Sequence, residues 1–148
     1  MWAALCLAVC LALAGCGERR AGLEDLRTLE VRLPDGATIR AEVLTEPADM
    51  ARGMMFRDAL EPARGMLFVH PASGQYRYWM YQVKIPLDII WLDSSRRIVE
   101  ISPQTPPCPG PADRCPSYGG NALARYVLEL AGGEAARHGL RLGDTLDF

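Results

Sequence analysis

The stretch Thr28-Leu29-Glu30-Val31-Arg32-Leu33-Pro34-Asp35-Gly36-Ala37-Thr38-Ile39-Arg40-Ala41-Glu42-Val43-Leu44-Thr45 decides the fold class. Leu29, Val31 and Leu33 alternate with Thr28, Glu30 and Arg32, the period of a half-buried strand. Pro34-Asp35-Gly36 supplies turn chemistry, and Ile39, Ala41 and Val43 then alternate with Arg40 and Glu42. Residues 28–45 are therefore expected to form a β-hairpin.

The same signals recur downstream. Met66-Leu67-Phe68-Val69, Tyr76 to Met80 and Leu87 to Leu92 are apolar or aromatic runs that suit strands. Asp93-Ser94-Ser95 reads as a turn into Arg97 to Ile101, a second hairpin. Tyr126, Leu128 and Leu130 alternate with Val127, Glu129 and Ala131, and Thr145 to Phe148 suits a closing strand. Helix is expected only over 47–53, capped by Thr45 and stopped by Gly53, and for one or two turns over Glu134 to His138. Many short strands with little helix predict one mostly-β domain over 28–148, compact and sandwich- or barrel-like. An α+β roll, or a barrel with a short helix plugging one end, is the alternative.

Trp2 to Gly15 carries no charge and ends in small residues. It is shorter than the roughly 20 apolar residues that span a bilayer. Residues 1–15 thus read as a signal peptide. Leu13-Ala14-Gly15-Cys16 is similar to a bacterial lipobox, in which Cys16 becomes the acylated residue, with palmitate-type chains. Several chains together make membrane attachment stable. Residues 16–27 would be the lipidated cysteine and its tether. Gly17 follows the cysteine, and by resemblance to lipoprotein sorting in Gram-negative bacteria this implies a cell-envelope location, lipid-anchored in the outer membrane and facing the periplasm.

Cys6 and Cys10 lie within the signal and Cys16 is assigned to lipid, leaving Cys108 and Cys115. In an oxidising compartment this pair is expected to form a disulfide within a Pro-rich loop at about 102–121. A net charge of -2 lacks the basic footprint of a nucleic-acid binder, so no nucleic-acid partner is expected.

The motifs Gly53-Met54-Met55-Phe56-Arg57, Gly65-Met66-Leu67-Phe68, Trp79-Met80, Ile85-Pro86-Leu87-Asp88-Ile89-Ile90-Trp91-Leu92-Asp93, Tyr126 to Leu130 and Gly143-Asp144 occur in order. Together they resemble the bacterial and archaeal family called domain of unknown function 192, from about Leu29 to Phe148. The resemblance implies a compact all-β domain, often exported, with no assigned activity. The chain departs from the family after Trp79-Met80. The usual basic residue, Asn and Thr are here Tyr81, Gln82 and Val83.

No catalytic motif, metal-ligand spacing or cofactor loop is present, so neither catalytic residues nor a cofactor are assigned. His70 and His138 stand apart from other ligands and read as structural or surface residues. Asp88 interrupts an apolar strand and should be paired, most simply with Arg57. The functional reading of the same residues is a ligand site lined by Arg52, Arg57, Trp79, Asp88 and Tyr118. Alternation puts Tyr76, Tyr78 and Met80 on one strand face and Arg77, Trp79 and Tyr81 on the other; core-plus-edge packing is the simpler reading, and a stacking platform for sugar or peptide on one face is the functional one. Met50, Met54, Met55, Met66 and Met80 would suit core filling or, less simply, Cu(I). The leading expectation is a membrane-tethered, non-catalytic binding module for a small polar ligand, glycan or peptide. The alternatives are a hydrolase using Asp88 as base and Arg57 as oxyanion partner, and an accessory envelope lipoprotein working through protein contacts.

Overall fold

A computed structural model describes residues 27–148. The segment expected to be a signal peptide, residues 1–15, and Cys16 lie outside the described residues. The strands are β1 (Thr28–Arg32), β2 (Thr38–Leu44), β3 (Arg64–Gly74), β4 (Tyr78–Trp79), β5 (Leu87–Leu92), β6 (Ile98–Thr105), β7 (Ser117–Tyr118) and β8 (Ala124–Ala131). The helices are α1 (Pro47–Arg52) and α2 (Glu134–Arg137), with a 3-10 turn at Ala112–Arg114. The domain is mostly β, as the alternating segments predict.

Six strands form one sheet in the order β1-β2-β3-β8-β5-β6, and β4 pairs with β7 in a separate two-stranded ribbon. The pairing of β2 with β3 is parallel, and all other strand pairs are antiparallel. The parallel pair requires a crossover, and α1 lies in it. The expected hairpins, over 28–45 and from Leu87 to Ile101, are both present, the second running on to Thr105.

Side chains alternate across a strand, so each strand feeds both faces. One face carries Val31, Ile39, Leu67, Ile90, Leu128 and Leu130, closed by Leu140 and Leu146. The other carries Leu44, Met66, Phe68, Ile89, Trp91 and Val127, covered by Met54, Met80 and Val83. Both faces are core. That explains why β5 is buried along its whole length and β8 along most of it.

Three local expectations are corrected. Thr45 does not cap α1; Glu46 holds the N-cap position, and no side chain caps it. Pro47 at the first helical position needs no N–H partner there. The Tyr76 to Met80 run is a strand only at Tyr78–Trp79. The 145–148 segment forms isolated bridges, Arg97 with Thr145 and Arg32 with Asp147, rather than a strand.

The Pro-rich loop is packed. A disulfide joins Cys108 to Cys115. Gly119 (φ +70) lies against the indole of Trp91, where a Cβ would come within 2.1 Å of the ring. Only glycine permits both that backbone and that approach.

Candidate functional site

Asp88 is fully buried and does not meet Arg57. It shares its strand face with Ile90 and Leu92, the face of the first core. Its Oδ1 accepts the backbone N–H of Gln104 at 2.7 Å and of Gly133 at 3.0 Å, and its Oδ2 accepts that of Ala135 at 2.7 Å. Gly133 is the N-cap of α2 and has no side chain to satisfy the orphan donors of that helix. Asp88 does so from across the core. The expected Arg57–Asp88 pair is therefore replaced by a carboxylate spent on backbone donors.

Arg57 lies over the opposite face. Its two terminal nitrogens donate to Glu42 Oε1 at 2.8 Å and Oε2 at 2.7 Å, a bidentate pair. The Glu42 side chain is only 3% exposed and that of Arg57 19%.

Strand register then brings in a second acid. Glu42 pairs with Met66, Met66 with Glu129, and Glu129 with Ile89, all across one face. Glu42 and Glu129 thus flank Met66, at about 10 Å backbone separation by the usual strand spacing. Glu129 is 4% exposed. Its Oε2 is buried and has no hydrogen-bond partner. Burial pushes its carboxyl up to about 8, and the Arg57 charge only partly opposes this.

Glu129 lines a cavity of about 30 Å³. Met50, Met54 and Met55 form one wall, from α1 and the turn after it. Phe68, Tyr78 and Trp79 form the other, and Arg52 stands among the lining residues as an exposed side chain. Trp79 is 42% exposed and packs against Tyr81 at 5.2 Å between ring centroids. The Tyr78 hydroxyl is engaged with His70 Nε2 at 3.0 Å, and its ring meets Phe68 edge-on at 5.0 Å. Burial, reinforced by Glu129, raises the Tyr78 phenol, so it stays neutral. Burial lowers His70, which stacks on Tyr76 at 3.4 Å.

Of the expected site residues, Arg52 and Trp79 line this cavity, and Arg57 interacts electrostatically with its carboxyl. Tyr118 pairs with Tyr78 across the β4–β7 ribbon and packs on the second core. Asp88 belongs to the other face. Glu129 and Glu42 were missed because each occupies the polar register of an alternating strand, which reads as solvent-facing. The available signal was Val127, which shares that register in β8 and is apolar. Among the described residues no group of three His, Cys, Asp or Glu converges as a metal site. Met50, Met54 and Met55 do converge on the cavity.

The family model that matches is DUF192, described as Uncharacterized ACR, over residues 30–148. Among solved structures, a protein of unknown function from Novosphingobium aromaticivorans DSM 12444 is 30% identical, with a TM-score of 0.75; the match covers 86% of this chain and 89% of that one. A protein from Sinorhizobium meliloti 1021, described as a candidate transcription regulator, is 28% identical, with a TM-score of 0.73, covering 82% of this chain and 94% of that one. No curated protein matches the chain.

Proposed function

We propose, from the premise that the chain belongs to the uncharacterized family DUF192, that it is a non-catalytic binding module for a small polar ligand, with the Glu129 cavity as its site. One observation carries this reading: Glu129, whose buried Oε2 has no hydrogen-bond partner, lines the cavity. A buried carboxyl lacking a partner costs stability, and an apolar side chain there would avoid that cost. A ligand that supplies the missing partner turns the same feature into affinity. Arg52 and Trp79, expected as site residues, stand around the same cavity.

The hydrolase reading loses its base, because Asp88 is committed to three backbone donors on the opposite sheet face. The transcription-regulator description of the Sinorhizobium protein finds no support in a net charge of -2. The proposal includes a lipid tether at Cys16, holding the domain on an envelope membrane. Cys16→Ala should abolish labelling by radioactive palmitate and release the protein from the membrane fraction. Retention of both would remove the tether.

The binding reading is tested by thermal shift of the full-length protein against sugars, short peptides, amines, amides and carboxylates. One class should raise Tm with concentration, and Glu129→Gln and Trp79→Ala should abolish the rise. A panel without any shift at millimolar concentration, or a shift that survives both substitutions, would overturn it.

A further inference from the structure

We infer that the Glu129 cavity receives the primary ammonium group of a slender aliphatic amine, whose chain leaves between the methionine wall and Trp79. This rests on the binding-module reading above and names the ligand class for the same site.

Size is the first argument. A cavity needs roughly 10–15 Å³ on this measure to hold one water. The space beside Glu129 is about 30 Å³. That admits an ammonium nitrogen and its first methylene, and excludes a trimethylammonium head.

Charge is the second. The carboxyl that lines the cavity, Glu129, has nothing donating to its buried Oε2. Arg57 directs both its terminal nitrogens to Glu42 and makes no hydrogen bond to Glu129 Oε2. The Tyr78 hydroxyl is engaged with His70. An anionic ligand would oppose the ionisation of Glu129 and gain no buried opposite charge. A donor that brings its own positive charge gains most from a desolvated carboxylate. The walls suit such a group, because aromatic faces attract a cation and thioethers are weak acceptors. Arg52 is the one lining cation and is exposed, so water screens it.

Binding must then displace a proton. The charged or titratable groups around Glu129 are Arg57, neutralised by Glu42; Arg52 from α1; and Tyr78 from β4. Glu129, held up to about 8, is mostly protonated at neutral pH in the empty cavity. An alkylammonium stays charged to about pH 10. Affinity should therefore rise about tenfold per pH unit towards pH 8 and level off above it.

The experiment is titration calorimetry of the full-length protein with n-butylamine at pH 6, 7 and 8, in buffers of different ionisation enthalpy. The expected result is that pH dependence, release of roughly nine-tenths of a proton per amine at pH 7, and no heat with tetramethylammonium. Glu129→Gln should weaken binding by at least about tenfold. Met55→Trp, which narrows the mouth and leaves the carboxyl intact, should do the same, so the result does not hang on one variant's folding. Equal binding of butylamine and tetramethylammonium overturns the inference. So does Glu129-dependent binding of butyramide or of Cu(I) in place of butylamine, and both of those outcomes leave the binding-module reading standing. Failure of every class in the panel removes both.

Discussion

At the residue scale the polar groups of this domain divide by sheet face. Asp88 is a remote helix cap, Glu42 is a neutralised partner, and Glu129 is an open acceptor. Asp88→Asn keeps the shape but leaves one of the three N–H donors facing another donor. A loss of about 2–4 kcal/mol is expected in urea unfolding. Arg57→Ala strands Glu42 as a buried, unpaired charge and should cost about 3–5 kcal/mol. Because Arg57 and Asp88 lie on opposite faces with no shared partner, the double variant should equal the sum of the singles to within about 0.5 kcal/mol. A coupling well above that would contradict the separation. Glu129 gives the pH prediction. Its pKa is higher folded, about 8, than the ordinary 4.5. Between these values the folded state holds a proton that the unfolded state has lost. Stability from this group is thus complete below pH 4.5 and declines as pH rises to about 8. Glu129→Gln should flatten that slope and be the more stable protein at pH 8, by an amount on the order of a few kcal/mol. Denaturation midpoints of both proteins from pH 4 to about 9 check this; parallel curves would show that Glu129 does not titrate as described.

At the element scale the hairpins and the central strands were legible because their hydrophobic period is local. The β4–β7 ribbon was not. Tyr78–Trp79 and Ser117–Tyr118 are too short to carry a period, and their pairing joins segments far apart in sequence. What holds the ribbon is the Cys108–Cys115 loop. Cys108 N–H donates to the Met80 carbonyl at 3.1 Å and Gln82 N–H donates to the Cys108 carbonyl at 3.3 Å. The loop thus grips the chain beside Trp79, at one wall of the cavity. The candidate site suffered similarly: Arg52 and Trp79 were readable from sequence, whereas Glu129 needed the knowledge that a second layer covers its face. Reducing the disulfide should cost about 2–3 kcal/mol by loop-closure entropy. Its effect on hydrogen exchange should be local, with faster exchange at 78–82 and 106–118 and retained protection in β3, β5 and β8. Uniform loss of protection would show that the staple supports the whole fold and not the cavity wall.

At the scale of the whole molecule the question is how a six-stranded sheet protects its edges, since an unpaired edge is a template for association. The edge strands are β1 and β6. One short segment ties both. Arg32 and Asp147 exchange backbone hydrogen bonds at 2.8 and 3.1 Å. Ile98 N–H donates to the Asp144 carbonyl at 2.7 Å, and Leu146 N–H donates to the Arg96 carbonyl at 3.0 Å. The sheet is therefore curled enough for four residues to reach from one edge to the other. Inside the curl lie Leu146, 1% exposed, and the first core. Phe148 packs edge-on against Tyr126 at 5.2 Å, with the Arg96 guanidinium 4.8 Å from its ring. Two changes separate the packing from the strap. Leu146→Ala removes only buried methyl groups and should cost about 2–5 kcal/mol while the protein stays monomeric. Deleting residues 145–148 also removes the backbone bonds that Leu146 and Asp147 make with Arg96 and Arg32. That protein should lose more stability and, in size-exclusion chromatography with light scattering, should populate oligomers through the freed edges of β1 and β6. Adding Thr28→Lys, at an exposed neutral position of β1, should suppress the oligomers without restoring stability, because a new charge opposes edge pairing but fills no core. A deletion protein that stays monomeric with an unchanged urea midpoint would mean that the edges are protected by something other than this segment.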